Sequence, residues 1–170
     1  MNSEQVKCCA LETPLGKAVA CAESGAVSGF WFVGQRYFPK DAGLWIEDAG
    51  YPPLAALKGW LAGYFAGANP SPDFPLAPRG TPFQQAVWDI LLAIPYGRLT
   101  TYGAIAKQLN ERPGAPRTSA RAVGGAVGHN PISLLIPCHR VIGASGKLTG
   151  YAGGIDKKQA LLRLEGAVLL

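Results

Sequence analysis

Five prolines fall between Asn69 and Pro82, in the run NPSPDFPLAPRGTP. No helix or central strand can cross such a run, because each proline removes a backbone donor and restricts the residue before it. The 170-residue chain must therefore organise in two halves. The run predicts a linker over 69–81, between a small domain of residues 1–68 and a second domain of residues 82–170.

The first half reads as α/β. KCCALE, KAVACAE and AVSGFWFV are three short strands, separated by turn residues at Pro14–Gly16 and Ser24–Gly25. They suggest a small antiparallel sheet. PLAALKGWLAGYFAG then places Leu54, Leu57, Leu61, Tyr64 and Phe65 on one helical face. No chemistry is evident in this half.

The second half reads as mainly helical. TPFQQAVWDILLAIP begins with Thr81 as N-cap and Pro82 at the first helical position. Phe83, Val87, Ile90, Leu91 and Ile94 form its core stripe. TTYGAIAKQL is a second helix, capped by Thr100 or Thr101, and ERPGAPRT is a loop. SARAVGGAVGHNP is a third helix, and KKQALLRLEG a fourth that stops at Gly166. The second and third helices together suggest a helix-turn-helix.

Charge is divided between the halves. Residues 1–81 carry six basic and seven acidic side chains, whereas residues 82–170 carry ten basic and four acidic. Between Arg98 and Arg140 six basic residues face a single acid, Glu111. A solvated surface is the bland meaning, but the asymmetry points to a polyanion, nucleic acid first. No window holds eighteen apolar residues, so no membrane span is expected. The start lacks the basic and apolar regions of a signal peptide. These features suggest a cytoplasmic protein whose four cysteines are thiols.

The third helix is nearly bare. Ala120, Ala122, Gly124, Gly125, Ala126 and Gly128 leave little beyond Arg121, although each helix glycine costs about 1 kcal/mol relative to alanine. Either another helix packs closely against the small residues, or a partner must approach without meeting side chains. A reader of base edges would need several Arg, Asn or Gln residues. One long arm on a smooth surface suits sequence-blind approach, with Arg121 entering a minor groove or the base stack. Tyr102, at the start of the preceding helix, is placed to touch a phosphate or to pack as a half-buried core residue.

The segment SLLIPCHRVIG holds the reactive groups. Leu134, Leu135 and Ile136 belong in a core, and Pro137 holds Ile136 extended. Cys138 and His139 follow at once. In an extended strand they would point to opposite faces, so either the chain turns here or a water carries a proton between them. A base beside a thiol raises its reactivity, although a buried structural cysteine next to an unrelated histidine is the commoner meaning of such a dipeptide. Glu165, late in the last helix, is either a frayed surface acid or the group that holds His139 in its basic tautomer. GYAGG is a glycine-rich turn without a phosphate-cradle motif, in which Tyr151 and bare backbone could clamp a flat group. Cys8, Cys9 and Cys21 have no histidine near them in sequence, so no metal site is expected.

Four ordered motifs resemble the O6-alkylguanine-DNA alkyltransferase family, also called methylated-DNA–protein-cysteine methyltransferases. They are IPCHRVIG, ARAVGGAVGHNP, TGYAGG and LLRLEG, and the resemblance is close over residues 80–170. It implies that Cys138 accepts the alkyl group, that His139 deprotonates it through a water, and that Glu165 orients His139. Asn130 would order the turn carrying the reactive segment. Tyr151, with Ala152 and Gly153 behind it, would line the guanine pocket. Arg121 would fill the gap left by the extruded base and Tyr102 would push the adjoining phosphate. Ser119, Ala120, Ala122 and Gly124 would lie against the DNA.

The implied activity is single-turnover repair of O6-alkylguanine, and of O4-alkylthymine, in double-stranded DNA. The base must be flipped, at a cost of a few kcal/mol, and the thioether product is a poor leaving group. The resemblance implies no cofactor, no membrane partner, and a monomer able to cluster on DNA. The loop NERPGAPRTS is longer than is usual in the family, and Ala152 stands where some members carry serine. A relay of this kind also predicts a Cys138 thiolate forming well below the ordinary thiol range near 8.5. Two alternatives stand beside this reading. One is a sensor of alkylated DNA that does not transfer, against which Cys138 argues directly. The other is a cysteine hydrolase or acyltransferase, which would need an oxyanion hole.

Overall fold

Strands β1 (Lys7–Thr13), β2 (Gly16–Glu23) and β3 (Ala26–Phe32) form an antiparallel meander. A fourth strand, β4 (Ile46–Glu47), lies parallel to β1 at the edge, giving the order β3-β2-β1-β4. The sheet is therefore mixed, not antiparallel throughout as the three longer strands suggest. Two residues are too few to show a period, which is why sequence pattern misses β4. The computed structural model describes residues 4–167. Its chain divides into two units: the residues up to Arg79 with Pro131–Ser133, and Gly80–Asn130 with the residues from Leu134 on.

In the first unit every residue of β3 is buried, Ser28 included, which explains why its sequence does not alternate between apolar and polar. Helix α1 (Pro52–Phe65) packs on the sheet through Leu54, Leu57, Leu61 and Tyr64, while Phe65 stays half-buried. The proline-rich run expected to be a linker instead serves as edge cover for β3. Val27 N donates to Pro75 O at 3.0 Å and Ala77 N donates to Val27 O at 2.8 Å. Residues 131–133 do the same further along, with Phe30 N donating to Pro131 O and Ser133 N to Phe30 O. Prolines suit this position, since an outer edge needs no further donors.

The second unit is built on helices α2 (Pro82–Leu92), α3 (Tyr102–Asn110), α4 (Ala120–Gly128) and α5 (Ile155–Leu164). Thr81 and Gln84 close a capping box on α2, Thr101 caps α3 and Ser119 caps α4. The buried Trp88 of α2 donates its Nε1 to Ala126 O of α4 at 2.9 Å, locking the two helices together. Phe83 does not join the core stripe. It is exposed and lines an apolar groove of about 530 Å³ with Pro82, Leu109, Pro116 and Ala122. Strands β5 (Thr100–Thr101) and β6 (Val141–Ile142) pair in parallel and tie the start of α3 to the reactive segment.

Candidate active site

The chain turns at the reactive pair. Cys138–Arg140 form one turn of 3-10 helix after Pro137, and all three residues are buried. Leu134, just upstream, holds a positive φ of 71° while almost wholly buried. That conformation is strained for a bulky residue and survives only where packing overdetermines it. Asn130 lies beneath this segment. Its Nδ2 donates to Ile136 O at 2.7 Å, and its side chain also hydrogen-bonds Cys138. The position expected to order the reactive turn thus touches both that turn and the thiol.

His139 is fully buried, and its Nε2 lies 2.7 Å from Oε1 of Glu165. Glu165 is not a frayed surface acid. It is buried at the C-cap of α5 and gathers donors from three directions. Arg140 donates from Nε to Oε2 and from Nη2 to Oε1, both at 2.8 Å, and from Nη1 to Ile94 O at 2.7 Å. Gly97 N donates to Oε2 at 3.4 Å. Gly97 has a φ of 72°, and a Cβ there would come 2.9 Å from Glu165 O, so glycine alone permits this approach.

The electrostatics follow from burial and these partners. Burial pushes Glu165 up, but hydrogen bonds from His139 and Arg140 and their charges outweigh it and hold the carboxylate well below its ordinary range. Burial pushes His139 down, against the raising effect of Glu165. The neutral ring therefore carries its proton on Nε2, toward the carboxylate, and Nδ1 is the basic nitrogen. Nδ1 has no hydrogen-bond partner among the described residues.

Burial also pushes the Cys138 thiol up, opposed by the Asn130 hydrogen bond, the Lys158 charge and backbone N–H groups. The expectation of a low thiol pKa in the free protein is thus reversed. An apolar surround disfavours the thiolate more than its neighbours favour it, so Cys138 rests as a thiol.

Among the remaining expected residues, Tyr102 is half-buried at the first position of α3 and donates its hydroxyl to Thr149 O at 3.0 Å. Tyr151, Ala152 and Gly153 are half-buried in the loop before α5. Arg121 is exposed, and no described group pairs with its guanidinium. Ser119, Ala120 and Ala122 lie on the same exposed face, with Gly124 partly covered. The glycines of α4 have no steric cause inside the protein. A Cβ at Gly125 or Gly128 would meet nothing within 4 Å, and one at Gly124 only the Tyr102 ring at 3.8 Å.

Arg140, Lys158 and Gly97 escaped sequence reading. Arg140 sits within IPCHRVIG but is an ordinary surface residue by type. Lys158 shares a helical face with Leu161 and Leu162, three and four residues on, a spacing that could have marked it as inward-facing.

The family model described as 6-O-methylguanine DNA methyltransferase, DNA binding domain, matches residues 82–167. The chain is 46% identical over 155 residues to the methylated-DNA–protein-cysteine methyltransferase of Mycobacterium bovis, covering 91% of this chain and 89% of that protein. It is 45% identical over 168 residues to the protein of that name from Salmonella typhimurium, covering 94% and 95%. The crystal structure of Mycobacterium tuberculosis OGT in complex with DNA superposes with a TM-score of 0.83 at 44% identity, covering 94% of this chain and 93% of that one. On sequence and on structure, the chain belongs to the methylated-DNA–protein-cysteine methyltransferase family.

Proposed function

We propose that this protein repairs O6-alkylguanine in double-stranded DNA by moving the alkyl group to Cys138. The observation that carries this reading is the buried thiol beside Asn130, next to a histidine whose Nε2 is fixed on Glu165. That bond leaves Nδ1 as the nitrogen able to take a proton. A water between Nδ1 and Sγ would pass the thiol proton to the ring as sulfur attacks the alkyl carbon. The C–O6 bond breaks with its electron pair going to oxygen, and the restored guanine takes up a proton. No electrons are exchanged with any cofactor. A thioether remains on Cys138, so each molecule acts once.

DNA recognition follows from α4. A smooth exposed face with a single unpaired arginine permits close approach without reading bases, and Arg121 would occupy the space of the flipped nucleotide. The Tyr102 hydroxyl would exchange Thr149 O for a phosphate as the nucleotide turns. The relatives named for this chemistry, and the relative solved with DNA, agree with it.

Intact mass and peptide mapping after mixing with an O6-methylguanine duplex test the proposal. One methyl group per molecule, on the peptide containing Cys138, is the expected outcome. Catalytic turnover, or methyl on Cys8, Cys9 or Cys21, would overturn it.

A further inference from the structure

Three of the four cysteines lie outside the reactive segment, all in β1 and β2. Two of them face each other, since Cys8 of β1 and Cys21 of β2 are direct partners in the antiparallel register. Residues opposite one another in such a ladder alternate between pairs that exchange backbone hydrogen bonds and pairs that do not. The backbone of Cys8 is turned to its other neighbour, where Asp48 N, just past β4, donates to Cys8 O at 2.9 Å. Cys8 and Cys21 are therefore a non-hydrogen-bonded pair. Such a pair holds its Cα atoms about 4.5 Å apart, with both side chains on one face. A disulfide spans Cα separations of about 4.4–6.8 Å, so the ladder already sets the spacing that a bond needs.

We infer that Cys8 and Cys21 form a thiol pair that a low-molecular-weight disulfide converts reversibly into a cross-strand disulfide, a modification site separate from Cys138. Cys8 is half-exposed and Cys21 is only 3% exposed, so Cys8 meets the reagent first. Its thiolate attacks one sulfur of the reagent, whose S–S bond breaks. The leaving sulfur departs with the bonding pair and takes up the proton that Cys8 lost. Cys21 then gives up its own proton and attacks the Cys8 sulfur of the mixed disulfide, releasing the second reagent thiol. Two electrons pass from the protein sulfurs to the reagent, which ends as two thiols.

The surroundings select this pair over the alternatives. Cys9 points to the opposite face of β1, with Leu11, which lines a cavity against Leu61 of α1. Its partner across the ladder is Ala20, which offers no thiol. On its β3 side Cys21 meets Ser28, whose Oγ lies 3.3 Å from the sulfur. The Trp31 indole also folds back there over Gly29, the β3 partner of Cys21, and a Cβ at Gly29 would come 1.9 Å from the ring. On its β1 side the neighbour of Cys21 is Cys8. Burial raises both thiols, Cys21 to about 11, so the exchange is slow near neutral pH.

Incubating the full chain with excess glutathione disulfide, followed by intact mass and tryptic mapping without reductant, tests the pairing. The expected product has lost two hydrogens, and its peptide from Cys8 to Lys17 is joined through Cys8 to the peptide from Ala18 to Arg36. Dithiothreitol should restore the starting mass. Cys21→Ser should instead retain one glutathione on Cys8, because the resolving thiol is gone, and Cys9→Ser should still form the link. In urea, where the strand register is lost, links to Cys21 should divide between Cys8 and Cys9. Three results would each overturn the inference: links through Cys9 as frequent as through Cys8 in the folded chain, glutathione standing on Cys8 of the native chain with no link, or no reaction at these thiols at all. None of these outcomes depends on the reaction at Cys138.

Discussion

The carboxylate of Glu165 bridges His139 and Arg140: Oε1 lies 2.7 Å from His139 Nε2, and Oε2 lies 2.8 Å from Arg140 Nε. One acid thereby fixes the His139 ring and neutralises the adjacent guanidinium. Glu165→Gln leaves Arg140 a buried, unpaired charge, which should destabilise the fold by roughly 3–5 kcal/mol and slow transfer. His139→Ala should slow transfer by about 100-fold or more, the usual contribution of a positioned base, with duplex affinity nearly unchanged. Denaturant melts and single-turnover kinetics on the two variants separate these effects.

Acid should weaken both fold and activity. Glu165 is depressed below its ordinary value of 4.5, so its stabilisation is complete above pH 4.5 and is lost as pH falls toward the lower folded value. His139 is depressed below 6.5, so the unfolded chain takes up a proton first and stability declines below pH 6.5. Both slopes have the same sign. Neutral His139 also means that transfer keeps its base somewhat below pH 6.5. Urea melts and transfer rates between pH 4 and pH 8 check this, and a rate that halves at or above pH 6.5 would falsify the neutral, buried base.

Arg121→Ala should reduce repair in duplex DNA far more than reaction with free O6-benzylguanine, because its guanidinium is needed only where a base leaves a stack. Equal losses on both substrates would remove the wedge role.

Gly125→Ala separates folding from binding. The added Cβ meets nothing within 4 Å, so the free protein should gain up to about 1 kcal/mol from helix propensity. Duplex repair should nevertheless slow, since the methyl group projects from the face offered to DNA. A variant both more stable and fully active on duplex would contradict the docking of α4.

The loop before α4 is pinned at its neck by Asn110, whose side chain donates to Thr118 O and accepts from Thr118 N. Its Arg112 and Arg117 are exposed. Binding should fall steeply with salt, and replacing both arginines should reduce the slope of log K against log salt by about 0.9 for each phosphate no longer neutralised. Titrations between 50 and 200 mM salt on unmodified duplex measure it.

The sequence alone determined the longer strands and the helices, and it singled out the Cys138–His139 segment. Strand runs, Thr81 and the Thr100–Thr101 pair as caps, and the motif IPCHRVIG are local signals, legible because caps and periods act within a few residues. The bareness of α4 was equally plain, though only the open space around Gly125 and Gly128 separated partner approach from internal packing. Tertiary structure decided whatever depends on residues distant in the chain. It laid the prolines of the supposed linker along β3, where an edge needs no donors, and it turned Phe83 out into a groove. It brought Arg140 and Gly97 onto Glu165 and buried Lys158 against the carbonyls of Val141, Thr149 and Gly150. It also reversed the expected thiol pKa. A pKa is set by the dielectric and charges that surround a group in space, and adjacency in sequence carries neither.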